Sequence, residues 1–237
     1  MSTEPFQEKL MKISSLTSKM LRKNFGRGPD SCFAFANGPY LVLYIRRFLS
    51  PMESVLLESG NSDKVDMSRT IVMNKILTQL KGILEIELGA DVKSAYHDWN
   101  YNQNTGMVTI EFESNVTGAV ANSEENPIFK NLIDEVDRIS IIVQKKPENT
   151  KAFFITPRVY LVKREGILVE IEKSLIDKGY EQTLMVTKDE LEKSFLHHNG
   201  HFEDIFSLPV ADIFVDWDLQ ADNSIICFIL KNERRSE

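Results

Sequence analysis

The chain has 237 residues, of which 42% are hydrophobic and 27% are charged, with 11 glycines and 8 prolines. This composition is that of a folded protein and excludes a disordered, collagen-like or low-complexity chain. The 28 Lys and Arg residues and the 35 Asp and Glu residues give a formal net charge of −7 at pH 7. An acidic surface repels phosphate backbones, so the charge argues against a nucleic-acid-binding protein.

The sequence shows no signal peptide and no transmembrane segment. Its longest apolar runs, residues 40–45 and 225–230, are far shorter than the roughly 20 residues that span a bilayer, and they are predicted to be buried strands. We therefore expect a cytoplasmic protein. Cys32 and Cys227 lie in apolar segments without CxxC spacing, which favours two core residues over a disulfide or a metal site.

The sequence repeats itself once at an offset of 118 residues, adjusted by one residue in the middle. Fourteen of 65 compared positions are identical, and the only two tryptophans, Trp99 and Trp217, fall at the same repeat position, each after an aspartate. Self-similarity of this kind indicates duplication of a structural unit. We predict one copy over residues 1–113, a linker over 114–125 and a degenerate second copy over 126–237.

Helix signals and alternating apolar residues define the elements of the first copy. Ser50, Pro51 and Glu53 have the spacing of a capping box with proline at the first helical position. In chain order, the predicted elements are a helix from an N-cap at Thr3 to a C-cap at Gly26, two strands around Asn37-Gly38-Pro39, a short helix from Ser50, a long helix over 66–88 ended by Gly89, and two strands around the turn 103–106.

The second copy repeats this order. We predict a helix over 126–143, two strands either side of Thr156-Pro157, helices near 170–178 and 187–198, and two strands over 210–219 and 224–230. Thr187 and Glu190 are predicted to form a second capping box. Each copy is therefore an α-β-β-α-α-β-β module, and the fold class is α+β, with antiparallel sheets covered by helices. The other sheet face is predicted to pack on the sister copy, which makes a pseudo-dimer.

The loop Gly26-Arg27-Gly28-Pro29 is the first candidate site. A phosphate-binding loop follows a strand and opens a helix, whereas this loop follows a helix and precedes a strand. The order favours a helix C-cap with a rigid exit. The two glycines would still hold Arg27 outward, as a contact for an anion or a partner.

Two further groups of polar residues suggest chemistry. His197 and His201 have the spacing of helical zinc ligands, but Asn199-Gly200 between them should break the helix, so a polar helix end is favoured and no metal is predicted. Asp98 and Asp216 precede the tryptophans on strands, where alternation places tryptophan in the core and the aspartates on a solvated or inter-copy face. Such carboxylates could also serve acid–base chemistry or bind a cation.

Several short motifs of the first copy resemble one protein family. They are Phe25-Gly26-Arg27-Gly28-Pro29, Leu49-Ser50-Pro51-x-Glu53, Arg69, Gly89-x-x-Val92 and Asp98. The first copy is similar in these residues to the MpsC-like family, named for a component of a Na+-translocating membrane-potential-generating system. The second copy shares only the internal repeat, lacks the GxGP loop and has Leu168 in place of Ser50.

The resemblance implies a cytoplasmic accessory protein associated with cation or bicarbonate handling at the membrane, without catalytic residues or cofactors. The first hypothesis is therefore a non-enzymatic module that binds a protein partner, such as a membrane complex, as a monomeric pseudo-dimer or a homodimer. The alternative is a small-ligand-binding or metal-binding enzyme or sensor that uses Arg27, Arg69 and Asp98. A concave pocket in which these three side chains converge would favour the alternative.

Overall fold

A computed structural model describes residues 5–117 and 127–231. The chain divides into two compact units, Met1–Val120 and Ala121–Glu237, which we call module 1 and module 2. The predicted N-cap Thr3 and most of the predicted linker, residues 118–125, lie outside the described residues.

Module 1 has the predicted order of elements. They are α1 (Phe6–Phe25), β1 (Ser31–Asn37), β2 (Tyr40–Arg46), α2 (Pro51–Glu58), α3 (Ser62–Leu88), β3 (Val92–Asn100) and β4 (Thr105–Phe112). The four strands form one antiparallel sheet in the order β1-β2-β4-β3. Gly26 and Gly89 end α1 and α3 in the left-handed conformation, which glycine adopts without a steric cost, as predicted.

Module 2 repeats the architecture with one additional helix. Its elements are α4 (Pro127–Val143), β5 (Asn149–Thr156), β6 (Val159–Glu165), α5 (Glu170–Asp177), α6 (Glu181–Asn199), α7 (Phe202–Phe206), β7 (Val210–Asp218) and β8 (Asn223–Leu230). The sheet order is β5-β6-β8-β7, again antiparallel. The α+β fold class and the two similar modules are confirmed.

The predicted helix start at Thr187 is wrong. α6 begins at Glu181, and the Thr187 hydroxyl donates to the carbonyl of Thr183, one turn earlier, at 2.8 Å. A threonine followed three residues later by glutamate also occurs inside helices, where the hydroxyl bonds the preceding turn. Burial of Leu184 on the inner side of α6 gives the helix an additional turn before the predicted cap.

The first hairpin turn of module 1 lies within the predicted segment Asn37-Gly38-Pro39, whereas the second turn lies two residues before its predicted position. Asn37 pairs with Tyr40, so the first loop consists of Gly38 and Pro39. Gly38 has φ of 59°, as the first loop position of a II′ turn requires. In the second hairpin, Asn100 pairs with Thr105, and the loop is residues 101–104.

The helices cover one face of each sheet. In module 1, α1 and α3 contribute the apolar residues Leu10, Ile13, Leu21, Met73, Ile76, Leu80 and Leu84 to a core with the sheet. Trp99 and Trp217 belong to the cores of their modules, as alternation predicted. Among the described residues, Cys32 and Cys227 form no disulfide.

Strand register corrects the alignment of the two copies. Ile45 lies opposite Gly106, and Arg164 lies opposite Ser224, at the repeat equivalent of Gly106. Arg164 therefore corresponds to Ile45, whereas the offset of 118 residues would align it with Arg46. The physical reason is a register shift in β5 between Phe154 and Thr156. The offset between the copies therefore changes by one residue within the first hairpin of module 2, before β6.

Candidate functional site

Arg69 is the centre of a buried polar cluster in module 1. It lies on α3, and its side chain is only 2% exposed. Its guanidinium makes a two-pronged ion pair with Glu53 of α2: Nε donates to Oε1 at 2.7 Å and Nη2 donates to Oε2 at 3.0 Å. Paired hydrogen bonds of this kind are the strongest arrangement of arginine and carboxylate. The pair fixes α2 against α3.

Four aromatic rings surround the Arg69 guanidinium. The distances from its central carbon to the ring centres are 4.3 Å for Trp99, 4.9 Å for Phe48, 5.6 Å for Phe25 and 5.6 Å for Tyr101. A cation over an aromatic face is attracted by the ring quadrupole, and more strongly when water is excluded. The rings come from α1, β3 and the segments after β2 and β3, so the cation joins most elements of the module.

Glu53 has two functions in this cluster. Its Oε2 accepts the backbone N–H of Ser50 at 2.7 Å, and the Ser50 hydroxyl accepts the N–H of Glu53 at 3.3 Å. The predicted capping box at the start of α2 is thereby confirmed. Burial raises the pKa of Glu53, but the hydrogen bonds and charge of Arg69, together with the bonds from Ser50, hold it below its ordinary value.

A second device, which the sequence analysis missed, orders the segment between β2 and α2. Asn104 has φ of 50°, and its side-chain oxygen accepts the backbone N–H groups of Phe48 at 2.7 Å and Leu49 at 3.0 Å. Asp222 does the same in module 2, with φ of 50° and bonds of 2.8 Å from Ile167 and Leu168. The sequence feature that could have indicated these bonds is the Asn or Asp at the same repeat position of each hairpin loop, since both residues tolerate the left-handed conformation.

Module 2 retains the cation and its aromatic contact with different residues. Lys188 lies 5.6 Å from the centre of the Trp217 ring and pairs with Glu172 at 3.4 Å. Glu172 accepts the N–H of Val169 at 2.8 Å, so Val169, and not Leu168 as predicted, occupies the N-cap position. Valine has no side-chain acceptor, and only this half of the capping box remains.

Module 2 also contains a buried ion network around Arg164, which is 2% exposed in its side chain. Its guanidinium donates to Glu192 at 2.7 Å, to the Ser224 hydroxyl at 2.8 Å and to the Ser140 hydroxyl at 3.0 Å. Glu192 also pairs with Lys188 at 2.6 Å. The strand registers and the buried faces of the helices show which residues of module 1 correspond to this network. Ser140, Arg164, Glu192 and Ser224 correspond, in that order, to the apolar or small residues Leu21, Ile45, Met73 and Gly106.

The candidate loop at the end of α1 is a helix cap. Gly26 is in the left-handed conformation, and its N–H donates to the carbonyl of Arg22 at 3.0 Å. A Cβ added at Gly28 would lie 2.8 Å from Nε of Arg22, so this glycine leaves room for the arginine side chain. Pro29 is buried and Arg27 is exposed to solvent.

Two residues of the alternative site, Arg69 and Asp98, lie on opposite faces of the sheet. Asp98 pairs across the sheet with Met107, whereas the adjacent Trp99, which covers Arg69, pairs with Gly106. Successive residues of a strand point to opposite faces, so Asp98 lies on the face away from Arg69. Asp98 is buried and accepts the N–H of Trp99 at 2.6 Å.

His197 and His198 lie in the last turn of α6, as predicted, and His201 lies two residues beyond its end. His198 is bonded to the carbonyl of Ser194, and His201 to Glu135, at 2.8 and 3.0 Å between the ring nitrogen and the oxygen. The Arg138 side chain, with His201, lowers the pKa of Glu135 to about 2. Within residues 5–117 and 127–231, no three His, Cys, Asp or Glu side chains are grouped so that they could hold a metal ion.

Gly106 is essential for the position of Trp99. A Cβ at this residue would lie 2.1 Å from the indole ring. Gly106→Ala is therefore expected to displace Trp99 from Arg69 and to lower the free energy of unfolding of module 1 by about 1–3 kcal/mol. Urea denaturation would measure this. Gly82→Ala is the matched control, because an added Cβ at Gly82 would meet no atom outside its own helix backbone within 4 Å, and alanine favours a helix. Equal stability of the two variants would contradict the prediction.

The fold and these clusters define a class of protein, a tandem pair of α+β modules in which a buried cation joins the helices to a sheet tryptophan. A family model described as "Na+-translocating membrane potential-generating system (MpsC)" matches residues 7–114 and 132–232. The chain belongs to this family, and both modules are matched. The likeness of the second half is thus direct, and not limited to the internal repeat. No curated protein and no solved structure matches the chain.

Proposed function

We propose that the chain is a non-enzymatic accessory protein of a Na+-translocating membrane system, and that it binds a protein partner in that system from the cytoplasmic side. The observation that carries the proposal is the family match over both modules. None of the described helices has both the length and the apolar character needed to cross a bilayer. An association with the membrane system through partners is compatible with this finding.

The chemistry of the buried clusters supports a binding protein over an enzyme. Glu53 is bonded to Arg69 and to the backbone of Ser50, and Glu192 is paired with Arg164 and Lys188. A catalytic acid or base must reach the substrate within hydrogen-bond distance. Here the charged groups are already bonded within their own module, where they hold helices in place.

The short helix α2 supports a partner surface. Glu53 is its only buried residue, whereas Met52 is 69% exposed and Val55 is 61% exposed. In module 2, α5 buries no residue, and its Ile171 is 70% exposed. Large exposed apolar side chains on a helix that is held to its module by a polar residue are typical of a surface that a partner covers.

Membrane vesicles from a source strain that lacks the gene would test the proposed function. We expect Na+-dependent generation of the membrane potential to fall in these vesicles and to recover when the gene is restored. The variant Met52→Ser/Val55→Ser is expected to restore less, because it removes apolar contacts from α2. Met11→Ser/Ile86→Ser is the matched control, since these residues are also exposed, at 64% and 84%, but lie on α1 and α3.

Two results would contradict the proposal. One is an unchanged membrane potential in the deletion strain. The other is turnover of a substrate by the purified chain alone, which would favour the enzyme hypothesis.

A further inference from the structure

Module 1 has a cluster of exposed cations where α1 ends and the β1–β2 hairpin opens. We call it the basic corner; it consists of Lys19, Arg22, Lys23, Arg27, Arg46 and Arg47, all exposed to solvent. Backbone contacts bring the segments together: Ser31 pairs with Arg46, and the N–H of Asp30 donates to the carbonyl of Arg46 at 3.0 Å. The helix end, the loop and the strand end therefore form one surface.

Positive charge is concentrated at this corner in an acidic protein. Residues 1–120 contain 13 acidic and 13 basic residues, whereas residues 121–237 contain 22 acidic and 15 basic residues. Within the part of the chain that the structure describes, the one ion pair of the corner joins Arg47 to Asp30 at 3.6 Å. The other cations are left to solvent or to a partner.

The corner is specific to module 1. The buried positions of α4 and the register of β6 place Ile141 and Ile142 where module 1 has Arg22 and Lys23, and Glu165 where it has Arg46. Lys146, in the loop after α4, is paired with Asp137 at 3.4 Å. Module 2 shares the fold, so the fold does not require these cations.

Arg47 adds an argument from backbone conformation. Its φ is 55°, in the left-handed region, and its N–H donates to the carbonyl of Asn104. Gly166 makes the same bond to Asp222 in module 2, with φ of 66°. Glycine adopts this conformation without the steric cost that arginine has. An arginine at this position favours a binding role, because the local structure alone would prefer glycine.

We propose that the basic corner binds an anionic membrane surface and thereby orients the chain with module 1 toward the lipid headgroups. Clusters of four to eight exposed Lys and Arg bind anionic lipid, each strengthening binding about fivefold. The cations lie on a helix end and a strand end, and within the described residues the pair of Arg47 with Asp30 is the one ion pair among them. Cations held this loosely suit mobile headgroups better than the fixed carboxylates of an acidic protein segment. The inference rests on the proposed function and specifies its membrane contact.

Flotation of the purified full chain with protein-free vesicles tests the inference. One vesicle type contains equal parts of phosphatidylcholine and phosphatidylglycerol, and the other contains phosphatidylcholine alone. We expect binding to the anionic vesicles only, and loss of that binding in high salt, because salt screens the attraction. The variant Lys23→Gln/Arg27→Gln/Arg46→Gln/Arg47→Gln is expected to bind roughly several hundredfold more weakly.

The matched control removes four exposed lysines of module 2, Lys130→Gln/Lys151→Gln/Lys178→Gln/Lys231→Gln. It changes net charge equally and is expected to bind at least a hundredfold more tightly than the corner variant. Equal binding of the two variants, or binding of a polyglutamate peptide without binding to anionic vesicles, would overturn the inference. Vesicles without protein contain no partner, so this failure is distinguishable from failure of the proposed function in native membranes.

Discussion

Replacing Glu53 by alanine is expected to lower the free energy of unfolding of module 1 by about 3–5 kcal/mol, because it leaves the Arg69 charge buried without its carboxylate. Arg69 is 2% exposed, and its ion pair with Glu53 has a separation of 2.7 Å. The variant also loses the bond from Glu53 to the N–H of Ser50, so α2 should open first. Hydrogen exchange resolved by peptide would show the loss over residues 50–60 and then across module 1.

The double variant Glu53→Leu/Arg69→Met distinguishes the effect of an unpaired buried charge from the effect of the side-chain volume that Glu53→Ala removes. It removes both charges and places an apolar side chain among four aromatic rings, so it should be more stable than Glu53→Ala. A double variant less stable than the single variant would contradict the assignment of Glu53 as the essential counter-ion.

The pH dependence of module 1 follows from the same pair. The pKa of Glu53 is lower in the folded chain than its ordinary value of 4.5, so the unfolded chain binds a proton more readily. The stabilisation by the carboxylate is present above that ordinary value and is lost as the pH falls toward the folded pKa. Glu53→Gln should therefore reduce the acid sensitivity of module 1.

Replacing Glu192 by alanine is the second change with a large expected effect, a loss of about 3–5 kcal/mol in module 2. Glu192 is 3% exposed in its side chain and is the carboxylate paired with Arg164, while Lys188 keeps Glu172. The remaining partners of Arg164 are the neutral hydroxyls of Ser140 and Ser224. Peptides of module 2 should lose hydrogen-exchange protection, and those of module 1 should lose much less.

The control for Glu192→Ala introduces into module 2 the residues that module 1 has at four positions of the network. Ser140→Leu/Arg164→Ile/Glu192→Met/Ser224→Gly replaces Arg164 and its three hydrogen-bond partners by apolar or small residues and leaves Lys188 paired with Glu172. Such replacements of buried ion pairs are often neutral or stabilising. We expect this variant to be more stable than Glu192→Ala. If it unfolds while Glu192→Ala is near wild type, the four positions do not form one coupled network.

Local signals in the sequence predicted most of the elements and part of the candidate site. The capping box of Ser50 and Glu53, the C-caps at Gly26 and Gly89 and the core position of Trp99 depend on short-range geometry and alternation, and the structure confirms them. Thr187 shows the limit of such signals, because the same residue pattern fits a helix start and a helix interior. The one-residue register difference between the copies also could not be located, because a β-bulge leaves no fixed sequence signature.

The sequence by itself determined the duplication, the α+β order of each module and the family likeness, because these depend on repeated patterns along the chain. The tertiary structure alone decided which charges meet. Glu53 and Arg69 are 16 residues apart, and Arg164 and Glu192 are 28 apart, so only packing brings each pair together. Arg27, which the alternative hypothesis grouped with Arg69 and Asp98, lies in an exposed cluster formed by a helix end and a strand end, because the strand pairing of Ser31 with Arg46 brings those cations to one corner.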